Sequence, residues 1–350
     1  MVTEAAGYQQ QVFTNVSQRL SDVITRAGEK NLIVFNPLPY PRTDIVRVEM
    51  PAGLAPVDPA TDVALAVQRL PDGSAVFVAK NVPATGYKVF SLSVERASAR
   101  SERPEGRSTK ENVIESRFYR IAFSPVTGVI TRLFDKTLGV ELVDTNAPHA
   151  FNEYLYEFRA NKPRKDDPNF HDSVWSRMEK ANSVSVSRGP VADVLTVTGQ
   201  ANGVRELRQT LILYRDLSRM DFGLWMDKAP FQGTFGVNHE AVYVALPFAI
   251  PDFTIHHALP GGVLEPYRQQ FEGSATGHYA IQDFTDLSNG RHGVTVSPLE
   301  GSLVCYGSPI SSPVALWHHR EELFPRDRTY PKTSRLYLYL LNNMFDVNIA

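Results

Sequence analysis

Residues 111–144, ENVIESRFYRIAFSPVTGVITRLFDKTLGVELVD, constrain the fold more than any other stretch, because they read as three strands joined by two turns of legible chemistry. Tyr119, Ile121 and Phe123 alternate onto one face, the period of a half-buried strand. Ser124-Pro125-Val126-Thr127-Gly128 then supplies a proline that presets φ and a glycine free to take positive φ, which a tight reversal between antiparallel strands requires. Val129 to Phe134 is the return strand. Asp135-Lys136-Thr137-Leu138-Gly139 repeats the device, and Val140 to Val143 leaves it as a further apolar run.

At 350 residues the chain has room for two or three domains, or for one large β-domain with a small companion. An apolar fraction of 43% and a charged fraction of 21% belong to an ordinary globular protein. No uninterrupted apolar run approaches the roughly 20 residues that cross a bilayer, so no membrane span is expected. Thirty-six basic and 38 acidic residues are well mixed, for a net charge of −2, and offer no footprint for nucleic acid. The single cysteine, Cys305, has no partner for an internal disulfide; flanked by Leu303, Val304 and Tyr306, it reads as a buried strand thiol. The N-terminus lacks the basic, apolar and small-residue order of a secretory signal, and with one cysteine this points to the cytoplasm.

One helix stands out. Val12, Phe13, Val16, Leu20, Val23 and Ile24 follow three-and-four spacing over residues 8–26, with Ala27-Gly28 to end it. Such a stripe needs a surface to cover it, supplied either by a module absent from this chain or by the small β-domain that follows. From Asn31 the period becomes that of strands: 31–35, then Thr43–Met50, Val63–Leu70, Ser74–Ala79 and Gly86–Val94. Pro37, Pro39 and Pro41 remove three amide donors between the first two. Residues 97–110, ASARSERPEGRSTK, carry many charges and no large apolar side chain, and read as a linker. Beyond it, strand patterns recur at 184–186, 194–198, 207–214, 219–225, 241–247, 279–284, 293–296, 303–306 and 336–341. Many strands and few helices predict a sandwich.

The 111–144 block resembles the entry to the large C-terminal β-domain of family 38 α-mannosidases, with Ser124 where the family usually has an aspartate before the proline. NLIVFNPLPYPRTDIV resembles that family's small β-domain. QTLILYRDLSRMDFGLWMDK, AVYVALPFAIPDF, PGGVLEP, HYAIQDFTDLSNGRHGVTV and LYLLNNMFDVN continue the likeness in the family's order. The resemblance implies an all-β chain: a small β-sandwich followed by a large antiparallel supersandwich of the galactose mutarotase type, with one N-terminal helix. The expected division is helix 1–28, small sandwich 31–96, linker 97–110 and supersandwich 111–350.

Retaining glycosidases use two carboxylates roughly 5 Å apart. In the family resembled here these sit, with a zinc ion held by a His-x-Asp pair, another aspartate and a distant histidine, in a preceding α/β domain. No such stretch is present in these residues, so no catalytic residue and no cofactor or metal is assigned to this chain, zinc being implied only for the full-length enzyme. His256-His257, His318-His319 and His239-Glu240 are adjacent pairs whose side chains point to opposite faces of any strand, and read as surface or loop groups. Asp166-Asp167, Glu321-Glu322 and the Asp283/Asp286 pair read as solvated loop charges.

Sugar contacts come from the resemblance, residue by residue. The family's β-domain lends a tyrosine and an arginine to the rim of the catalytic pocket. Tyr154 in Asn152-Glu153-Tyr154-Leu155-Tyr156 matches the first segment, and Arg268 in Glu265-Pro266-Tyr267-Arg268 the second. Asn343 falls in the terminal N-N-x-x-x-x-N-like segment, where asparagine also serves to satisfy strand-end backbone. An aromatic ring stacks on a pyranose face, and a guanidinium offers a planar fork of donors to vicinal hydroxyls. The expected role is therefore the non-catalytic β-region of an α-mannosidase-like hydrolase, with a mannoside and either the missing α/β domain or another copy of the chain as partners. A self-standing carbohydrate-binding or scaffold protein, or an aldose epimerase relative with a converging histidine and carboxylate, are the alternatives.

Overall fold

A computed structural model describes residues 2–24, 31–70, 73–94, 112–159, 174–233, 238–271, 274, 277–309 and 330–343. Contacts divide the chain into two compact units: Met1–Thr109 with Arg188–Ala192 and Arg215–Leu217, and Lys110–Ser187 with Asp193–Tyr214 and Ser218–Ala350. Among the described residues the architecture is all-β apart from one helix.

In the first unit, the helix Val2–Ile24 starts earlier than its apolar stripe suggests. Tyr8, Val12, Phe13, Val16, Leu20 and Val23 are all exposed, at 45% to 85% of their surface. The expected stop at Ala27-Gly28 lies outside the described residues. Two small antiparallel sheets follow, one ordered Asn31–Asn36, Gly86–Val94, Leu54–Asp58, Val63–Ala64, the other Arg42–Val48, Ala75–Val82, Gln68–Arg69. Phe77 and Phe90, both fully buried and edge to face at 5.5 Å, centre their core. The single strand expected over Val63–Leu70 is instead two short pieces, one in each sheet. Leu54–Asp58 escaped the sequence pattern because Pro56 interrupts it.

The second unit opens on the tandem hairpins. Tyr119–Phe123, Ile130–Asp135 and Val140–Glu141 pair antiparallel in order, with Val113–Glu115 added on the outer side of the first. Gly128 and Gly139 take φ of 74° and 71°. The Ser124 hydroxyl accepts the N–H groups of Val126 and Thr127 at 3.2 Å, as Asp135 Oδ1 accepts those of Thr137 and Leu138 at 2.8 and 2.9 Å. Serine thus performs in the first turn the function that Asp135 performs in the second. A Cβ on Gly128 would stand 2.2 Å from Val197, so the glycine also lets the turn pack onto the core.

Three further sheets complete this unit. The largest is ordered Val174–Arg177, Glu153–Arg159, His239–Pro247, Arg335–Asn343, Leu303–Tyr306, Tyr279–Ala280. A four-stranded sheet runs Ala181–Arg188, Ala192–Ala201, Val204–Tyr214, Met220–Lys228, and another Gly262–Leu264, Thr254–Leu259, Thr285–Ser288, Gly293–Val296. One large apolar cluster draws on all of them, including Ile121, Leu133, Tyr154, Leu211, Val242, Ile255, Leu287 and Leu336. Cys305 is buried in its strand. Among the described residues no helix is long and apolar enough to cross a membrane.

Candidate functional site

Alternation along Glu153–Arg159 turns Tyr154, Tyr156 and Phe158 toward the large core, and Leu155 toward a second cluster on the opposite face of the sheet. The two tyrosines lead to a buried carboxylate. Glu240 is 3% exposed. Its Oε2 accepts the Tyr156 hydroxyl at 2.7 Å and Lys228 Nζ at 3.0 Å, while Oε1 accepts Lys228 Nζ at 2.9 Å and Asn343 Nδ2 at 3.2 Å. The Tyr154 hydroxyl donates to the Asn202 carbonyl at 2.8 Å. Burial, reinforced by the Glu240 charge, holds the Tyr154 phenol well above its ordinary range; burial and then the bond to Glu240 do the same to Tyr156. Both stay protonated donors at neutral pH.

Both oxygens of this carboxylate are thus occupied by donors, with a lysine alongside. That arrangement suits a structural ion pair and leaves Glu240 no free lone pair for attack on a sugar. Gly203, in the turn beside Asn202, has φ 80°, and a Cβ there would stand 2.3 Å from the Tyr156 ring. The turn must approach this closely for Tyr156 to reach Glu240.

Arg268 lies in a different cluster. Its guanidinium pairs with Glu265 at 2.6 Å and sits 4.6 Å over the Tyr330 ring, with 61% of the side chain exposed. The loop beneath is braced: the Gln269 and Gln270 side chains accept the N–H groups of Glu265 and Tyr267 at 2.8 and 3.0 Å. Tyr267, at φ 68°, meets Tyr279 and Tyr330 edge-on. Arg268 is therefore an accessible donor fork held at a fixed place by an ion pair and a cation–π contact.

The structure thus gathers Tyr154 and Asn343 around Glu240 and keeps Arg268 apart from them. The structure corrects the reading of Glu240, in the pair His239-Glu240, as a surface or loop group: its carboxylate is buried on a strand, where Lys228 and Tyr156, not singled out by sequence reasoning, meet it. The available signal was a Lys and a Glu closing the ends of two consecutive strand patterns, 219–225 and 241–247.

His257 corrects the reading of the His256-His257 pair as surface or loop groups. It is 1% exposed, in the strand Thr254–Leu259, whose polar pair of histidines hid the pattern. Its Nδ1 is 3.1 Å from the Tyr306 hydroxyl, which meets Thr285 Oγ1 at 2.8 Å; Nε2 has no hydrogen-bond partner among the described residues. Burial lowers its pKa. With the folded value below the unfolded value of about 6.5, stability is full above that pH and falls as pH drops through it, because the unfolded chain takes up the proton first. Replacing His257 with Gln is expected to flatten the urea-midpoint profile between pH 7 and 5; an unchanged profile would refute the assignment.

His318-His319, Asp166-Asp167 and Glu321-Glu322 lie outside the described residues. Asp286 accepts Thr295 Oγ1 at 2.8 Å and Ser288 Oγ at 2.5 Å, a local strand-end contact. Of the histidine and carboxylate pairing that an epimerase would require, the described residues offer His149 and Glu153, 3.7 Å apart. There the carboxylate also accepts the Ala150 N–H at 2.9 Å and faces Arg177 at 3.5 Å, anchoring the entry to its strand. Among the described residues no group of three or more His, Cys, Asp or Glu side chains gathers as a metal site.

The family description that matches is that of the glycosyl hydrolases family 38 C-terminal domain, over residues 114–300, more than half of the chain. The chain belongs to this family. A solved structure of an α-mannosidase from Enterococcus faecalis V583 is similar to it, with a TM-score of 0.59 and 12% identity over 94% of this chain and 42% of that one. At that identity the likeness establishes the fold. The chain spans less than half the length of that enzyme, and no curated protein matches it. For a family 38 C-terminal domain, the expected succession of sheets with one helix holds.

Proposed function

We propose that this chain is the non-catalytic β-region of an α-mannosidase-like hydrolase, which supports a catalytic α/β domain and contributes sugar contacts. The observation that carries the proposal is the family match over residues 114–300, joined to a fold likeness that takes in 42% of an α-mannosidase. The whole enzyme would hydrolyse α-mannosides with retention, with zinc supplied in the other domain. Arg268 is the side chain that would face the mannoside, its exposed fork donating to vicinal hydroxyls. Tyr154 and Asn343, tied to the Glu240 network, would hold the strands behind the contact surface. The cytoplasm is the proposed location, from the single cysteine.

The exposed stripe Val12, Phe13, Val16, Leu20 and Val23 is the surface on which the α/β domain, or in its absence a second copy, would sit. Sedimentation velocity tests this. The isolated chain should associate at micromolar concentration, and Phe13→Glu with Val16→Lys should render it monomeric with no loss of fold, since both side chains are exposed here. A wild-type monomer indistinguishable from the variant would count against the stripe as a docking face.

A further inference from the structure

Arg268 is joined to the buried His257 by a continuous run of rings. The imidazole lies 5.3 Å from the Tyr279 ring, Tyr279 is 5.5 Å from Tyr267, Tyr267 is 5.8 Å from Tyr330, and Tyr330 carries the Arg268 guanidinium. Hydrogen bonds fasten the same route. The Tyr279 hydroxyl donates to Gln270 Oε1 at 2.9 Å, the oxygen that also accepts the Tyr267 N–H. The Tyr330 hydroxyl accepts the N–H of Ile255, two residues from His257, at 2.5 Å. In register His257 stands opposite Leu264, next to Glu265, the partner of Arg268. Tyr267 keeps a left-handed backbone that a bulky residue adopts only where its surroundings hold it.

The proton on His257 can be placed from its neighbours. Thr285 Oγ1 donates to the His256 carbonyl at 3.4 Å, so it accepts the Tyr306 O–H, and the Tyr306 oxygen in turn accepts Nδ1–H. Nε2 is then a bare lone pair, which burial tolerates better than a bare N–H. The titratable groups that face the ring from the strands packed on it are the phenols of Tyr306 and Tyr279, with Tyr267 and Tyr330 behind them. Other candidates are turned away: Asp286 to Thr295 and Ser288, His278 to Tyr339, Cys305 to the opposite face of its sheet, and Glu265 to Arg268. His256 points to the other face of the strand, and Asp283 is exposed. A proton taken up at Nε2 would therefore put a charge and a donor where the described residues offer nothing to receive either.

We propose that His257 is a positioning residue for Arg268: neutral, it completes the stack of rings that holds residues 265–270 in place; protonated, it breaks the stack and releases Arg268 from Tyr330. Tyr279 is the neighbour that gives way. It sits at the end of the six-stranded sheet on a strand of two residues, whereas Tyr306 is tied to Thr285 and lies further inside that sheet. Movement of Tyr279 breaks its bond to Gln270, and with it the brace on the Tyr267 N–H. Acid thus withdraws the donor fork. That the fork meets a sugar rests on the function proposed above; its dependence on His257 does not.

Two-dimensional NMR of the full chain, with no sugar present, tests the coupling. The His257 Cε1, the Arg268 Nε–H and the backbone N–H groups of Glu265 and Tyr267 are followed from about pH 7.5 to about pH 4.5, across the histidine range. The three loop signals are expected to move with one midpoint, that of the imidazole, below the ordinary histidine value of about 6.5 because burial lowers it. His257→Gln, which does not titrate, should abolish the transition and leave the loop as it is at neutral pH. Tyr279→Leu, which removes the middle ring, should leave the imidazole titrating while the loop no longer follows. Loop signals that stay fixed while His257 titrates in the folded wild type overturn the proposal, as do loop signals that keep the wild-type midpoint in either folded variant. So does an imidazole that takes up its proton only as the whole second unit unfolds. The wild-type titration decides the matter even where a variant fails to fold.

Discussion

Glu240→Ala is expected to destabilise the second unit by about 3 kcal/mol, because it strands the partners of a buried ion pair. Lys228 Nζ would lose both carboxylate oxygens, and the Tyr156 hydroxyl and Asn343 amide would lose their acceptor in a site where Glu240 itself is nearly inaccessible. Partial exposure of Lys228 lets water recover some of that loss, which keeps the figure at the low end for buried pairs. Two companions separate the causes. Glu240→Gln keeps an acceptor for Tyr156 and should cost less. Glu240→Leu combined with Lys228→Met removes both charges, and should recover stability relative to Glu240→Ala. Urea unfolding followed by circular dichroism reads all three. A Glu240→Ala midpoint equal to wild type would mean that the network does not hold the sheets.

Gly203→Ala should be comparably damaging, again by about 3 kcal/mol, from two sources. A left-handed backbone costs a non-glycine residue roughly 1 kcal/mol or more, and forcing a methyl group into packed atoms adds about 1–3 kcal/mol. The methyl would stand 2.3 Å from Tyr156, so the ring must leave Glu240 or the turn must open. Gly139→Ala is the matched control: φ is 71° there, but nothing lies within 4 Å of the new carbon. It should lose only the conformational part. Equal losses at the two positions would show that crowding at Tyr156 contributes nothing.

What could be read from the sequence was local. The turns at Ser124–Gly128 and Asp135–Gly139 are specified by residues within five positions of one another, and they fold as their chemistry dictates. Period-2 runs such as Leu207–Tyr214 and Ala241–Pro247 likewise declare themselves. The strand Thr254–Leu259 did not, because two histidines break the apolar pattern, and only tertiary burial beside Tyr306 makes the second one a core residue. Glu240 was hidden for a different reason. Its partners Tyr156 and Asn343 lie 84 and 103 residues away, and sheet order alone brings them together. The register slip between Arg42 and Asp44 and the left-handed Thr85 are equally invisible, since a β-branched residue gives no sign of a positive φ.

Hydrolysis of an aryl α-mannoside by the purified chain, with and without added zinc, bears most directly on the non-catalytic role. No turnover above buffer is expected in either condition, and activity should arise only when a zinc-bearing α/β domain is supplied. Sustained turnover that stays with the chain through purification would contradict that role and place an acid and a nucleophile among its own residues.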